Sequence, residues 1–245
     1  MLPLFDPSGW RDPMFSPEVL ETVMVIDLSL PIYHDMPIWS GEPKTGVIDY
    51  FRIGRHRGDA EIMNMKVLFM CGHVGTHTDA PVHLRDDGPS LDQCPLERYV
   101  GPARVLNFNG RETDIERCDL EAHAEQIVAG RRILLRTGWD RHLGSEQYFD
   151  KQAMPKLTVP AMEYLVERGV ALVGVDTPSV NPYLDQHVSI FGGETPPVVV
   201  ELLTNLGSLP THEDIFLICL PLRIRDGDGS PVRAVALVGS DGAPS

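Results

Sequence analysis

The chain has 245 residues, of which 42% are hydrophobic and 23% are charged. This composition predicts a packed globular fold and excludes a disordered or fibrous chain, and the length suits a single domain. The formal net charge is −14 and no basic tract interrupts the acidity, which argues against nucleic-acid binding and favours a small molecule or a protein as partner.

Two features of the chain bear on its location. No basic region precedes an apolar stretch at the N-terminus, and no apolar run approaches the roughly twenty residues of a membrane span. The four cysteines, Cys71, Cys94, Cys118 and Cys219, are widely spaced, so neither a disulfide framework nor a zinc knuckle is predicted. We expect no membrane contact and a cytoplasmic, reducing location.

The predicted elements run the length of the chain after an N-terminal arm. Residues 1–24 form this arm, with an early helix after Ser16-Pro17, and residues 25–245 form one domain. Short β-branched runs predict eight strands: Met24–Leu30, Met63–Phe69, Ala103–Phe108, Ile133–Arg136, Ala171–Asp176, Val198–Glu201, Ile215–Leu220 and Val232–Val238. Helices are predicted at Leu120–Ala129, closed by Gly130, and at Pro160–Arg168. Many strands with few, irregularly spaced helices indicate a mixed α/β fold, with a largely β sheet or barrel-like core.

One segment concentrates histidines. Residues Cys71–Leu84 read CGHVGTHTDAPVHL and hold three of the nine histidines within eleven positions. His73, His77, Asp79 and His83 share one parity, so an extended backbone would gather them on one side. A helix would swing Asp79 away, and glycine and proline disfavour it, so a strand running into a loop is predicted.

Two imidazoles and a carboxylate suit Zn²⁺ or Mn²⁺, and three protein ligands leave a position for water. His83, separated from the others by Pro81, is a candidate acid or base near neutral pH. The alternative for this segment is a polar loop with solvated histidines.

The segment also carries a known signature. His73, Gly75, Thr76, His77, Asp79, Pro81 and His83 match every fixed position of H-x-G-T-H-x-D-x-P-x-H. The chain therefore resembles the cyclase family of metal-dependent hydrolases, which includes bacterial kynurenine formamidase and isatin hydrolase. Further blocks resemble the family over most of residues 25–238: IDLSL at Ile26–Leu30, LLRTGW at Leu134–Trp139, GVDTPSV at Gly174–Val180, ELLTNL at Glu201–Leu206, and Pro221–Ala236.

The resemblance implies roles for these residues and a swivelling β/β/α fold. His73, His77 and Asp79 would bind a first metal ion, and His83 would act as general acid and base. In the formamidases a second zinc shares the aspartate, and the matching further ligands here are His187 and Glu201. The interval between those two residues contains what resembles a small insertion at 192–197, whereas isatin hydrolase-like members are described with a single manganese.

Other residues receive weaker predictions. Trp39 is a candidate substrate-binding residue for an aromatic amide, although a core position explains it equally well. Gly227-Asp228-Gly229-Ser230 is predicted to be a hairpin turn without chemistry. His212 has no predicted role.

The predicted function is hydrolysis of a small aromatic or cyclic amide by metal-activated water, either isatin-type ring opening or aryl formamide cleavage. The alternatives are a kynurenine formamidase proper in tryptophan catabolism, a lactone hydrolase, or a non-catalytic metal-binding protein of the same fold. The resemblance also implies a homo-oligomer, either a dimer or a tetramer.

Overall fold

The computed structural model describes residues 23–55, 63–111 and 113–239. The predicted early helix and all of the predicted arm except Val23 and Met24 lie outside these residues. Within the described ranges, no helix combines the length and the hydropathy that a membrane span requires. All four cysteines are unpaired.

Eleven strands and three α-helices make up the regular structure of the described residues. The strands are β1 (Val23–Asp27), β2 (Gly46–Phe51), β3 (Met65–Phe69), β4 (His77–Asp79), β5 (Val100–Asn107), β6 (Arg132–Arg136), β7 (Leu172–Val175), β8 (Val198–Glu201), β9 (Ile215–Ile218), β10 (Gly229–Pro231) and β11 (Val235–Gly239). The helices are α1 (Arg117–Glu121), α2 (Val159–Glu167) and α3 (Leu184–His187). Several 3₁₀ turns connect them.

Nine of the strands form one mixed sheet in the order β1-β11-β9-β5-β6-β7-β8-β4-β10. Strands β5 to β8 are parallel to one another, and the strands on either side of them pair antiparallel. The mixed, largely β architecture that the sequence predicts is confirmed. β2 and β3 form a separate two-stranded hairpin.

Alternating side chains of the central strands pack into two apolar clusters. Along β8, Val198 and Val200 join one cluster, whereas Val199 joins the other. Along β6, Leu134 joins the first cluster and its neighbour Ile133 the second. Helix α2 packs its buried residues into the second cluster. Both faces of these strands are therefore buried, which explains their continuous apolar runs.

The predicted elements differ from the observed ones mainly at helix boundaries and short strands. The helix predicted at Leu120–Ala129 is wrong in its bounds, because α1 begins at Arg117 and ends at Glu121. Reciprocal side-chain to backbone hydrogen bonds between Glu116 and Asp119 start it. Beyond α1 the chain continues in turns whose bonds reach back three residues, such as His123 N–H to Leu120 O at 2.9 Å. β2, β10 and α3 are absent from the predicted elements.

Candidate metal centre

The pairing of β4 with β8 sets the frame of the site. His77 lies opposite Glu201, and Asp79 lies opposite Val199. Directly opposed residues of an antiparallel pair project from the same face, as do residues two apart on one strand. His77, Asp79 and Glu201 therefore share one face, and all three are almost fully buried.

The strand predicted in the histidine segment is observed, and it is limited to His77–Asp79. His73 precedes the strand in a turn, and His83 ends a 3₁₀ turn that begins at Pro81. Gly75 lies between the turn at His73 and the strand that begins at His77, and it adopts a left-handed φ of 61°. Glycine takes this conformation without strain. His73 therefore reaches Asp79 by a chain reversal rather than by strand parity.

His73, His77 and Asp79 form the first cluster of candidate ligands. His73 Nδ1 lies 2.8 Å from Asp79 Oδ1, and His77 Nε2 lies 3.3 Å from the same oxygen. His77 Nδ1 donates to the carbonyl oxygen of Gly75 at 2.9 Å, which leaves Nε2 free to bind a metal. One ligand atom from each residue lies within 4.8 Å of the other two.

A second cluster consists of Asp79, His187 and Glu201, whose ligand atoms also lie within 4.8 Å of one another. His187 is the last residue of α3, and Glu201 is the last residue of β8. Glu201 Oε1 accepts a hydrogen bond from the Val180 backbone at 2.8 Å. The two clusters share Asp79, so the structure brings together all five residues that the sequence proposes as metal ligands.

The ionisation of these groups follows from burial and from their neighbours. Burial disfavours the charged form of His73, but the carboxylates of Asp79 and Asp228 outweigh it and raise the pKa of His73 to about 9. Burial raises the pKa of Glu201, and the charge of Asp79 adds to the effect. Asp79 is buried too, yet hydrogen bonds from His73 and His77 hold its pKa below the usual range.

A divalent metal ion fits this set of side chains. His187 Nε2 is buried and has no hydrogen-bond partner among the described residues; Glu201 Oε1, 3.9 Å away, is too distant. Burial lowers the pKa of His187 to about 4, so the imidazole is neutral near pH 7, as a metal ligand must be. Imidazole nitrogens and carboxylate oxygens are donors that Zn²⁺ and Mn²⁺ share.

The clusters open into a cavity of about 430 Å³. Trp39 lines it with its ring 5.0 Å from that of Phe149, in an edge-on contact. The Lys151 ammonium lies 5.4 Å from the centre of the Trp39 ring. The cavity lining is Trp39, Ser40, Glu42, His73, Asp79, His83, Phe149, Lys151, Ser179, Pro182, Leu184, His187 and Glu201. Trp39 thus lines the cavity and also packs, partly buried, against an apolar cluster. Both interpretations that the sequence allows, a pocket residue and a core residue, agree with this position.

His83 lies beside His73 in the cavity wall. Its ring centre is 4.0 Å from that of His73, and it lines the same cavity. Burial lowers the pKa of His83, although the nearby carboxylates of Asp79 and Asp228 act in the opposite direction. His212, by contrast, is exposed in a bend before β9 and lies outside the cavity lining.

Sequence reasoning missed two acidic residues at the site. Asp228, in the predicted turn without chemistry, contacts His73 Nε2 at 2.9 Å. Glu42 lines the cavity and accepts a contact from the Cys71 thiol at 3.9 Å. Both lie far from the histidine segment in sequence, so no local spacing links them to it. The acidity of the turn around Asp228 is a sequence signal that points to this residue, but the pattern of glycines there predicts only a hairpin turn.

Comparisons with known proteins identify relatives of this chain. The family model described as Cyclase matches residues 26–182. A kynurenine formamidase of Bacillus cereus is 32% identical over 222 residues, which cover 88% of this chain and 98% of that protein.

Solved structures share the fold. A crystal structure of an isatin hydrolase bound to the product analogue thioisatinate superposes with a TM-score of 0.81 at 23% identity, over 96% of this chain and 100% of the other. Isatin hydrolase A from Ralstonia solanacearum gives a TM-score of 0.76 at 25% identity, over 89% and 93% of the two chains.

Proposed function

This chain belongs to the cyclase family, and from that premise we propose that it is a metal-dependent hydrolase that cleaves the carbon–nitrogen bond of a small aromatic or cyclic amide. The observation that carries the proposal is the pair of ligand clusters sharing Asp79 at the base of an aromatic-walled cavity. The formamidase likeness supports the amide as the bond that is cleaved.

In this proposal His73, His77 and Asp79 would hold one divalent ion, and Asp79, His187 and Glu201 would hold a second. The ion would supply Lewis acidity to activate water and to stabilise the oxyanion of amide cleavage. The protein fixes the donor atoms through the Gly75 carbonyl on His77 and the Val180 amide on Glu201. Such outer contacts orient the ligands before the ion binds.

His83 is the proposed general acid and base. It lines the cavity beside His73 and belongs to neither of the two clusters that share Asp79, although with His73 and Asp228 it forms a third group of the same size. In this proposal His83 stays off the metal and moves a proton. It would accept the proton of the attacking water and return it to the departing nitrogen. An amide nitrogen must be protonated to leave, so this second transfer matters as much as the first.

The cavity favours an aryl substrate. Trp39 and Phe149 present an aromatic wall, and Pro182 and Leu184 add apolar surface. A planar ring stacked there would bury apolar area while its amide faces the clusters. Aryl formamides and the fused lactam of isatin both meet this requirement, and the wall itself does not choose between them.

The test is hydrolysis of N-formylkynurenine and isatin, followed side by side by absorbance. Protein reconstituted with Zn²⁺ or Mn²⁺ is compared with a chelator-treated sample. Turnover of either substrate that the chelator abolishes supports the proposal and selects the substrate branch. Bound metal with no turnover of these amides, or of a panel of other cyclic amides and lactones, would contradict it and favour the non-catalytic alternative.

Finer properties belong to the same proposal. The choice between Zn²⁺ and Mn²⁺, one ion or two, a role in tryptophan catabolism and a cytoplasmic location all stay predictions. So does the homo-oligomer, which light scattering would check: a monomeric mass would contradict it.

A further inference from the structure

Asp228 makes contacts at the site that the proposed chemistry does not use. It lies in the loop just before β10, and its carboxylate Oδ2 is 2.9 Å from His73 Nε2. The same oxygen is 3.5 Å from His83 Nδ1. Its side chain is 57% exposed, whereas that of His73 is only 15% exposed. Asp228 therefore lies at the solvent edge of the site, against two histidines of the cavity.

The two nitrogens of His73 face different partners. Nδ1 points to Asp79, within the cluster that includes His77, while Nε2 points to Asp228. An imidazole that binds a metal through one nitrogen carries its proton on the other. If Nδ1 serves the cluster with His77 and Asp79, Nε2–H must donate to an acceptor, and Asp228 supplies it.

The backbone around Asp228 is fitted to the His73 ring. Ala80 N–H donates to the Asp228 carbonyl oxygen at 2.9 Å, which ties the loop to the end of β4. A side chain at the next residue, Gly229, would overlap the His73 imidazole. A Cβ at Gly72 would lie 2.6 Å from the Gly229 carbonyl oxygen. The ring of His73 is thus enclosed by this loop, and its rotation is restricted.

We propose that Asp228 is a positioning residue: by accepting a hydrogen bond from His73 Nε2–H, it directs Nδ1 to the metal position shared with His77 and Asp79. A carboxylate behind a ligating histidine fixes both the tautomer and the ring orientation, and it makes the imidazole a stronger donor. The inference rests on the proposed metal-binding role of His73.

The test uses the full chain with Asp228→Ala and Asp228→Asn, and with Glu121→Gln as control. Glu121 lies on α1 and pairs with Arg117, so its amide removes the same charge outside the site. Zn²⁺ affinity is measured by chelator competition, and the visible spectrum of the Co²⁺-substituted protein reports ligand geometry. Circular dichroism verifies that each variant is folded.

We expect Asp228→Ala to weaken Zn²⁺ binding roughly 10- to 100-fold and to alter the Co²⁺ spectrum, in line with the usual effect of removing such a partner. Asp228→Asn keeps an oxygen that accepts the Nε2–H bond, so its affinity should fall between that of alanine and wild type. Glu121→Gln should match wild type in both measurements.

Two results would overturn the inference. Wild-type affinity and spectrum in Asp228→Ala would show that the carboxylate does not act on the metal position. Equal loss in the asparagine and alanine variants would instead indicate that Asp228 is itself a ligand, with His73 bound through Nε2 beside His83. Because these measurements need no substrate, they stand apart from the proposed hydrolysis: an inactive protein with the expected affinity pattern would contradict the activity and support the positioning role.

Discussion

His83 and Asp79 are four positions apart in one motif, yet the proposed chemistry gives them different tasks. Replacing His83 with alanine should leave metal content unchanged and lower kcat by at least about 100-fold, because a positioned acid or base contributes about 10²- to 10⁴-fold. Metal analysis and steady-state kinetics on the same preparation check both parts. Turnover near the wild-type rate would remove His83 from the proton transfers.

Asp79→Ala is the complementary change. Asp79 belongs to both ligand clusters, so the variant should lose metal as well as activity. Its loss would also leave His73 and His77 without the carboxylate that they face. Metal content measured after dialysis against trace Zn²⁺ checks this, and undiminished content would contradict the ligand role.

At the scale of single residues, the sequence identifies what lies close together along the chain. The sequence makes four residues stand out because they fall within a span of eleven positions: His73, His77, Asp79 and His83. His187 and Glu201 enter only through a family resemblance, since the pairing of β4 with β8 brings Glu201 to Asp79 and the position of α3 brings His187 there. Asp228 resembles an ordinary turn residue, because the acidity of its turn does not by itself indicate the His73 ring beside it.

Asp176 joins two strand ends and shows how the elements support the cavity. It directly follows β7, and its buried carboxylate accepts hydrogen bonds from the Thr137 backbone and hydroxyl and from Gly138 N–H at 2.7 Å, just beyond β6. The same turn leads to Trp139, whose ring nitrogen donates to the Tyr148 carbonyl oxygen at 2.9 Å. Phe149 of the cavity wall is the next residue.

Asp176→Asn should destabilise the protein by about 1–3 kcal/mol at pH 5, because an amide presents two N–H donors toward the Thr137 and Gly138 donors, whereas the protonated carboxyl presents a single O–H. Burial raises the pKa of Asp176 to about 6, although hydrogen bonds from Thr137 and Gly138 favour the charged form. The unfolded carboxyl titrates near its ordinary pKa of 3.8. The folded state therefore holds the proton more tightly.

The sign of the pH dependence follows. The stability that Asp176 contributes is fully present below about pH 4 and is lost as pH rises through about 6, by on the order of 3 kcal/mol. The difference in unfolding free energy between wild type and Asp176→Asn should hence be larger at pH 5 than at pH 8. Urea unfolding at the two pH values measures it, and a difference that grows with pH would refute the assignment.

At the scale of elements, the length of a strand or helix decides whether the sequence pattern predicts it. All eight predicted strands correspond to observed ones. β7 and β8 are buried at every residue, whereas all five residues of β3 are exposed and this strand pairs with β2. β10 has three residues and includes a glycine and a proline, so no run announces it. α1 starts before its predicted position since polar capping, rather than apolar periodicity, begins it.

The candidate site depends on the whole molecule, because its residues come from distant parts of the chain. The turn before β4 supplies His73, α3 supplies His187, and the end of β8 supplies Glu201. Parallel strands β5 to β8 carry β8 to its place beside β4. An unfolded chain would not hold these donors together, so a metal that binds them should bind the native state preferentially.

Metal binding should accordingly raise the melting temperature of the whole protein. A ligand that binds only the native state at a free concentration 100 times its Kd stabilises by about 2.7 kcal/mol, which for a chain of this size corresponds to roughly 5–10 °C. Differential scanning calorimetry with and without Zn²⁺ measures the shift. Asp79→Ala, which removes the carboxylate common to both clusters, should show little of it. An equal shift in that variant would place the stabilising ion elsewhere, since Asp79 is the residue that the two clusters share.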